Sequence, residues 1–319
     1  MEREVVLGAD DDGRRLDRVA RKILPDLSLG SIFKALRKRD IRVNGNRARE
    51  DTRVSSGDVL QIRGPLAAIV RLPGETVGEG DAPLSPQRVI YRNDHILVVN
   101  KEPGELAHGR NSLETAVRAL WATLRTESTS APAGASFVPG PVHRLDRNTS
   151  GLIVYALSTV GAQEASRVLN ERLMTKHYLA VFSRALGEPT VWDQRLERDS
   201  NRGVSATSES GKKARTLVEP LVVVGDRTLA LVTLETGRTH QIRAHAGASG
   251  HPLVGDRKYG GTGGDYLLHA VRLRLCEDVP VLGFNELVAP LPESARRVLD
   301  RTCPGWRDAV HKHQLPADD

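Results

Sequence analysis

The sequence predicts an α+β protein made of a small amino-terminal module and a larger second domain. Residues 1 to 63 combine two apolar helical stripes with a short alternating hairpin, which predicts a compact αα-ββ unit. Residues 64 to 87 hold four Gly and four Pro without periodicity and predict a flexible linker. Residues 88 to 319 form the second domain, where alternating apolar runs predict strands at 96 to 99, 151 to 156, 178 to 182, 217 to 224, 228 to 234 and 266 to 275.

Each element of the module has its own signal. A first helix is predicted by the apolar stripe Leu16, Val19, Ala20, Ile23 and Leu24. A second helix begins after a capping serine, Ser28 or Ser31. Its outward face carries four cations, Lys34, Arg37, Lys38 and Arg39. A strand at 41 to 43, a turn at 44 to 46 and a second strand at 59 to 62 complete the hairpin.

Positive charge is concentrated in this module. Residues 14 to 63 carry 14 basic and 6 acidic side chains, a local charge of +8, whereas residues 1 to 13 carry −4 and the whole chain only +6. Such a run is often only a solvated helix face, but a basic module joined to a nearly neutral domain also indicates a polyanionic partner. The order of elements and the turn Arg42-Val43-Asn44-Gly45 resemble the S-four RNA-binding module, which favours RNA.

Cysteine content and apolar runs bear on the compartment. The two cysteines, Cys276 and Cys303, have no metal-like spacing, so we expect a reduced, cytoplasmic setting. No apolar run approaches the roughly 20 residues that span a bilayer, and residues 1 to 12 are acidic where a secretory signal would be apolar. No glycine-rich phosphate loop is present, and we expect no cofactor.

The most informative stretch is His143-Arg144-Leu145-Asp146, followed by a polar turn and an apolar run from Leu152. Residues 148 to 151, Asn-Thr-Ser-Gly, favour a sharp turn into a buried strand. Asp146 is therefore expected on a loop anchored by rigid structure, where a neighbouring arginine favours its charged form. Taken alone, the stretch fits a structural ion pair that pins a loop equally well.

Four further blocks resolve this ambiguity, namely Ile96–Lys101, Lys176–Val181, Gly237–His245 and His251–Tyr259. Together with His143–Gly151, and in chain order, they resemble the motifs of the RluA family of pseudouridine synthases over roughly residues 88 to 300. The resemblance implies a catalytic domain with a mixed, largely antiparallel sheet and a central cleft. It also implies that a uridine leaves the RNA fold before it reacts.

The resemblance assigns three catalytic residues. Asp146 would act on the ribose, either as a nucleophile at the anomeric carbon or as a base at the neighbouring carbon. Arg243 would pair with Asp146, and Tyr178 would lie against the target base. From the residues alone, a tyrosine in the apolar run 178 to 182 is more often a core residue than a catalyst, and spacing does not decide whether Arg238 or Arg243 meets Asp146.

Substrate-binding residues are implied in the same way. Arg144 would occupy the gap left by the flipped base, and His143 and Arg238 lie in the same motifs. His143 also fits a partly buried histidine that orients its neighbours, as does His269. The module would contribute the cations Lys34, Arg37, Lys38 and Arg39.

Two other groups of residues have open or negative interpretations. His240, His245 and His251 do not share a helical face and have no nearby cysteine, so we expect no metal site. Lys212, Lys213 and Arg215 fit either RNA backbone contacts or a solvated loop.

The predicted function is that of an RNA pseudouridine synthase, most simply a monomer, acting on bacterial large-subunit ribosomal RNA. Transfer RNA or small-subunit RNA are alternative substrates. The rivals are a catalytically inactive RNA-binding or ribosome-assembly factor that keeps the fold, and an N-glycosidase that releases uracil.

Overall fold

A computed structural model describes residues 1–72, 84–127, 135–199 and 201–317. Its helices are α1 (Leu16–Ile23), α2 (Leu29–Lys38), α3 (Leu113–Glu127), α4 (Thr159–Asn170), α5 (Gln241–Ala248), α6 (Glu293–Thr302) and α7 (Trp306–Lys312). Its strands are β1 (Glu2–Val6), β2 (Ile41–Val43), β3 (Asn46–Arg47), β4 (Val59–Arg63), β5 (Val89–Arg92), β6 (Ile96–Lys101), β7 (Gly140–Pro141), β8 (Ser150–Ala156), β9 (Met174–Ser183), β10 (Thr190–Asp193), β11 (Leu196–Asp199), β12 (Val204–Thr207), β13 (Arg215–Val224), β14 (Arg227–Leu234), β15 (Leu268–Leu275) and β16 (Glu286–Val288). The predicted α+β class is confirmed.

The amino-terminal module is an antiparallel sheet in the order β1-β4-β2-β3, with α1 and α2 packed against it. Both predicted helices and the hairpin are present. Ser28 caps α2, because its side-chain oxygen accepts a hydrogen bond from the Ser31 amide at 3.2 Å. The hairpin turns through Asn44 and Gly45, whose φ angles are 51° and 77°. The sequence analysis missed β1, which pairs with β4.

The predicted linker, 64 to 87, packs on both parts of the protein at its ends. Residues 64 to 69 form a 3₁₀ helix, and Ala67 within it is buried. Val70 joins the core of the module, whereas Leu84 joins the core of the second domain. Residues 73 to 83 lie outside the described residues.

The second domain is built on one large sheet in the order β10-β13-β14-β9-β15-β8-β6-β5, with β16 and β7 pairing on β15 and β8. All pairs are antiparallel except β15 with β8, so the expected mixed, largely antiparallel sheet is confirmed. The six predicted strands all lie in it. Helices α3 and α5 pack on one face of the sheet, and α4, α6 and α7 pack on the other.

Two neighbouring acids join the module to the second domain. Asp10 accepts a hydrogen bond from the Thr159 amide at 2.5 Å, at the first residue of α4. The carboxylate of Asp11, which is fully buried, accepts from the amides of Ala135 at 2.7 Å and Ser136 at 3.2 Å. The side-chain hydroxyl of Ser136 also donates to Asp11. These bonds fix the module against the start of α4 and the segment before β7.

Within the described residues, no helix is both long enough and apolar enough to cross a membrane.

Candidate active site

Asp146 lies on the loop between β7 and β8. The loop is a tight turn, because the Thr149 amide donates to the Asp146 carbonyl at 3.0 Å. The turn then enters β8 at Gly151, whose φ of 105° is open only to glycine at low energy. There the backbone of β8 passes so close to β15 that a Cβ on Gly151 would lie 2.3 Å from the Ala270 carbonyl oxygen. The predicted turn and its glycine therefore set the position of Asp146.

The buried side chain of Lys101 holds this loop in place. The Nζ atom of Lys101, at the end of β6, donates to the carbonyls of Glu102 at 2.8 Å and Arg147 at 2.9 Å. The Gly104 amide donates to the same Arg147 carbonyl at 2.9 Å. Burial lowers the pKa of Lys101 to about 8. The residue following Asp146 is thus held by two donors from a separate strand end.

Arg243 on α5 is the arginine that contacts Asp146. Its Nη1 lies 3.2 Å from Oδ2 of Asp146. Its other nitrogens, Nε and Nη2, donate to both oxygens of the buried Asp256 at 2.7 and 2.8 Å. Burial opposes the charge on Arg243, but the hydrogen bonds to Asp256 and the attraction of Tyr266, Asp256 and Asp146 raise its pKa above the ordinary value. The guanidinium therefore stays charged and cannot rotate away from Asp146 without breaking a bidentate pair.

Two aromatic rings enclose the same guanidinium. The central carbon of Arg243 lies 4.9 Å from the centroid of the Tyr259 ring and 5.8 Å from that of Tyr266. These distances are within the range of cation–π attraction. The rings restrict Arg243 further and exclude water from its charge.

Tyr178 on β9 is both a core residue and a pocket residue. Only 6% of its surface is exposed, and its ring belongs to the core between the sheet and helices α3 and α5. It also lines the pocket that contains Asp146. Burial, and then the negative charge of Asp146, raise the pKa of the Tyr178 hydroxyl, which therefore keeps its proton at neutral pH. The two interpretations left open by the sequence are thus compatible.

The pocket around Asp146 has a volume of about 60 Å³ and is lined by the three expected catalytic residues, Asp146, Tyr178 and Arg243. Arg144 also lines it and is exposed. Arg238 is a further lining residue, and its Nε donates to the Lys213 carbonyl at 3.0 Å, so Arg238 does not pair with Asp146. The pocket therefore brings together the expected catalytic residues and two of the cations expected to bind the substrate.

His240, which the sequence analysis considered only as a metal ligand, is a neighbour of Asp146. The Tyr259 hydroxyl accepts a hydrogen bond from the Ser205 amide at 2.8 Å and lies 2.8 Å from Nδ1 of His240. Nε2, on the other side of the ring, lies 3.6 Å from Oδ2 of Asp146. Burial lowers the pKa of His240, against the attraction of Asp146. The imidazole is therefore held by Tyr259 with its Nε2 edge towards the carboxylate.

Several expected residues lie outside this pocket. The His143 ring accepts a hydrogen bond from the Val154 amide at 3.2 Å, and burial holds its pKa well below the ordinary value, so it supports the sheet. His269 contacts the Ser150 hydroxyl at 2.9 Å, and His245 contacts the Thr216 hydroxyl at 2.9 Å. The four module cations expected to bind RNA, Lys34, Arg37, Lys38 and Arg39, are exposed and lie on α2 and just after it. In the chain as described, no three metal-ligating side chains gather in one place.

The arrangement presents one carboxylate oxygen for chemistry. Oδ2 of Asp146 faces Arg243 and His240, whereas Oδ1 has no hydrogen-bond donor among the described residues. Because the guanidinium holds one oxygen, the other oxygen is available as a nucleophile or base. The neutral Tyr178 hydroxyl lines the same pocket.

Comparisons with known proteins identify the family of this chain. The family model for RNA pseudouridylate synthase matches residues 95–248, a range that includes Asp146, Tyr178 and Arg243. The ribosomal large subunit pseudouridine synthase C of Salmonella typhi is 31% identical over 316 residues, which cover 93% of this chain and 95% of that protein. The protein of the same name from Vibrio vulnificus is 29% identical over 319 residues, with 92% and 95% covered.

Solved structures show the same fold. Human RNA pseudouridylate synthase domain containing 1 superposes with a TM-score of 0.54 at 27% identity, covering 75% of this chain and all of that one. Human RNA pseudouridylate synthase domain containing 4 gives a TM-score of 0.55 at 20% identity, over 73% of this chain and 95% of that one. Together with the sequence matches, these likenesses show that the chain belongs to the RluA family of RNA pseudouridine synthases.

Proposed function

We propose that this chain isomerises uridine in large-subunit ribosomal RNA, with Asp146 as its catalytic carboxylate. The observation that carries the role of Asp146 is the contact with Arg243, which is itself held by the buried Asp256. The choice of RNA rests on the relatives, which are named for the large ribosomal subunit and align over more than nine-tenths of this chain. Their substrate also favours a cytoplasmic location.

In the reaction the bond between ribose C1′ and uracil N1 breaks, and a bond between C1′ and uracil C5 forms. The proton on C5 leaves and N1 gains one, so atoms balance without an oxidant or an energy source. Asp146 acts through Oδ1, either by attacking C1′ or by removing the proton from C2′. Arg243 and His240 orient the carboxylate through Oδ2. Tyr178 supports the detached uracil while it turns.

Binding of the RNA uses other side chains. Arg144 occupies the space of the flipped uridine, and Arg238 contacts a phosphate beside the pocket. The S-four-like module adds contacts through its exposed cations, Lys34, Arg37, Lys38 and Arg39. Because the cations of the module lie outside the pocket that contains Asp146, much of the binding is separable from the chemistry.

The test is Asp146→Asn, assayed on a transcript of large-subunit ribosomal RNA with chemical mapping of pseudouridine. We expect product formation to fall by about a thousandfold or more, because the uncharged amide is neither nucleophile nor base. RNA affinity should change less than about threefold, since the phosphate contacts that supply most affinity are intact. Asp226→Asn, at an exposed position, is the control with the same change of charge and should be as active as the wild type.

Each rival predicts a different result in this assay. A non-catalytic RNA-binding factor would give no product with the wild-type protein on any cellular RNA. An N-glycosidase would release free uracil, which chromatography detects. A transfer RNA enzyme would modify a transfer RNA transcript and leave the ribosomal RNA transcript unmodified. We further propose that the active species is a monomer, and light scattering that gave twice the mass of one chain would contradict this.

A further inference from the structure

A basic groove lies where the amino-terminal module meets the second domain. It has a volume of about 750 Å³. The module forms one wall with α1 and the residues at 71 and 72, and α3 of the second domain contributes to the other. Its lining includes six cations and no acid, namely Arg14, Arg18, Arg21, Lys22, Arg71 and Arg118. We call this the junction groove.

Within the described ranges, neighbouring carboxylates neutralise only part of this charge. Arg71 pairs with Asp26 at 2.8 Å, and Arg118 pairs with Glu114 at 2.5 Å. The other four cations, Arg14, Arg18, Arg21 and Lys22, have no carboxylate partner in the described ranges. Like charges gathered without counterions repel one another, so the arrangement is relieved by a polyanion.

The spacing of the cations follows from the amphipathic pattern of α1. The apolar stripe of this helix is buried in the module core. Arg18, Arg21 and Lys22 are therefore turned outward, and their spacing of three and four residues puts them side by side on one face. The packing of α1 thus produces a continuous row of positive charge.

The position of the two walls is fixed by the contacts at Asp10 and Asp11. The buried Asp11 carboxylate accepts hydrogen bonds from the Ala135 and Ser136 amides and from the Ser136 hydroxyl. Arg14, a lining residue of the groove, donates to the same hydroxyl at 3.1 Å. The bonds that dock the module therefore lie beside the groove and hold it open without a ligand.

The groove continues along the second domain. Arg14, Lys22 and Val138 also line an adjoining groove of about 620 Å³, whose far wall is α4 with Gln163, Ser166, Arg167 and Asn170. The two grooves share these three residues, so they form one track. Arg118, on one wall of the junction groove, belongs to α3, which packs on the sheet face that also carries Tyr178 and α5.

We propose that the junction groove binds the phosphodiester backbone of the substrate RNA, away from the reacting uridine. This rests on the proposed function, because an RNA enzyme already has a polyanion in its cleft. Arginine predominates among the cations, and its planar guanidinium matches phosphate. The junction groove has no aromatic lining residue, so contacts to the backbone and not base stacking are its means of binding. The site is distinct from the cations of α2, which lie on the module alone.

The test is the triple variant Arg18→Gln, Arg21→Gln and Lys22→Gln in the full chain. The probe is a fluorescein-labelled 30-base-pair duplex RNA, followed by anisotropy from 50 to 300 mM KCl. We expect affinity at 150 mM to fall at least tenfold. The slope of log affinity against log salt should become shallower by about 2 to 3, because each lost phosphate contact contributes about 0.9. Arg118→Gln, on the opposite wall, should weaken binding about threefold on its own.

The matched control removes the same charge from α6 and α7, with Arg296→Gln, Arg307→Gln and Lys312→Gln. These helices pack on the sheet face opposite α3, so affinity and slope should stay within twofold of the wild type. The substituted side chains of the test variant are exposed, and an unchanged melting temperature confirms folding. Unaltered affinity and slope in the folded triple variant would overturn the proposal.

Two further outcomes separate this proposal from others. If the triple variant loses affinity for polyglutamate but keeps its affinity for duplex RNA, the groove serves an acidic protein and our proposal is wrong. If the wild type makes no pseudouridine but the triple variant alone loses duplex binding, the groove assignment stands and the proposed activity fails. Duplex binding and product formation are measured independently, so one failure does not imply the other.

Discussion

Two series of side-chain contacts end at the same oxygen of Asp146, Oδ2. In the first, Asp256 holds Arg243 through two hydrogen bonds, and Arg243 holds Oδ2. In the second, the Tyr259 hydroxyl contacts Nδ1 of His240, whose Nε2 faces the same oxygen. A lysine at position 243 could not make the first series of contacts, because an ammonium lacks the planar guanidinium that binds two carboxylates at once. The two series of contacts orient the carboxylate, while Oδ1 stays open to the pocket.

The His240 contact predicts a positioning role for this residue. His240→Asn suits the left-handed backbone conformation at this position, where φ is 54°, but its shorter side chain removes the ring nitrogen that faces Asp146. We expect kcat to fall by about 3- to 10-fold, because the carboxylate loses one of the two groups that restrain it, with KM changed less than about twofold. Steady-state kinetics on the ribosomal RNA transcript measure both. A rise in KM at constant kcat would show instead that His240 contacts the RNA.

At this scale the sequence predicted the partner of Asp146 but not the network behind it. The motif register selected Arg243, which does contact the carboxylate. Asp256 and Tyr259 lie in the block His251–Tyr259 but had no assigned role, and His240 was considered only as a metal ligand. Side-chain pairs of this kind are made by the fold, which brings residues 146 and 243 together across 97 positions, so local sequence carries no signal for them.

At the scale of elements, the close approach of β8 to β15 predicts that Gly151 cannot be replaced without loss of stability. A Cβ at Gly151 would lie 2.3 Å from the Ala270 carbonyl oxygen and 2.6 Å from its nitrogen, in a backbone conformation with φ of 105°. We expect Gly151→Ala to lower the free energy of unfolding by about 3 kcal/mol or more, from strain and forced separation of two strands. Urea denaturation measures the loss.

Gly187→Ala is the matched control for this substitution. No heavy atom lies within 4 Å of a Cβ built there, and its φ is not in the left-handed region. The free energy of unfolding should change by less than about 1 kcal/mol, the general effect of replacing glycine. Equal effects of the two substitutions would mean that the strand contact at Gly151 does not constrain the site.

The buried Lys101 on β6 predicts that the free energy of unfolding depends on pH. In the folded protein burial lowers the pKa of Lys101 to about 8, whereas the ordinary value is 10.5. Between these values the unfolded chain binds more protons, so the wild type gains stability as pH rises from 8 to 10.5. We expect the stability of the wild type relative to Lys101→Met to increase by about 1 to 3 kcal/mol from pH 8 to pH 10. Urea denaturation at the two pH values measures this.

An exposed lysine provides the comparison for Lys101. Lys312→Met removes the same charge from the surface of α7, so the difference in unfolding free energy from the wild type should be the same at both pH values. A constant difference for Lys101→Met as well would show that the Lys101 ammonium is hydrated in solution. The loop that carries Asp146 would then lack its buried support.

The elements themselves were largely predictable, because their signals are local. Alternating apolar residues marked six strands of the large sheet, and all six are present. The strand β1 was missed because Glu2 and Glu4 give it an acidic appearance. Both acids are satisfied from the neighbouring strand, Glu2 by Arg63 at 2.9 Å and Glu4 by Gln61 at 2.8 Å. The pairing that makes this segment a strand comes from residues nearly 60 positions away.

At the scale of the whole molecule, the acidic start of the chain has a structural purpose that its composition did not reveal. Asp10 and Asp11 accept hydrogen bonds from the second domain, and Asp12 accepts from the Ser56 amide within the module at 3.0 Å. The flexible linker predicted from composition suggested a mobile module. The docking bonds involve residues more than 120 positions apart, so only the assembled fold shows that the module is held in place.

This docking predicts a large effect of one buried carboxylate. Asp11→Ala leaves the Ala135 and Ser136 amides and the Ser136 hydroxyl without their acceptor, and each unpaired buried group costs about 1 to 3 kcal/mol. Separation of the module exposes these donors to water, which is cheaper than leaving them buried and unpaired. We therefore expect the variant to undock, and amide hydrogen exchange at residues 135 and 136 should accelerate at least a hundredfold.

Asp12→Ala is the control for undocking, because its carboxylate contacts only the module. Exchange at residues 135 and 136 should then stay within about threefold of the wild type. Slow exchange in Asp11→Ala as well would show that apolar packing alone holds the module. Rapid exchange in the wild type would show that the two parts separate freely in solution. A junction groove that depends on two fixed walls could not then exist without bound RNA, so this measurement on the protein alone decides whether the groove is preformed.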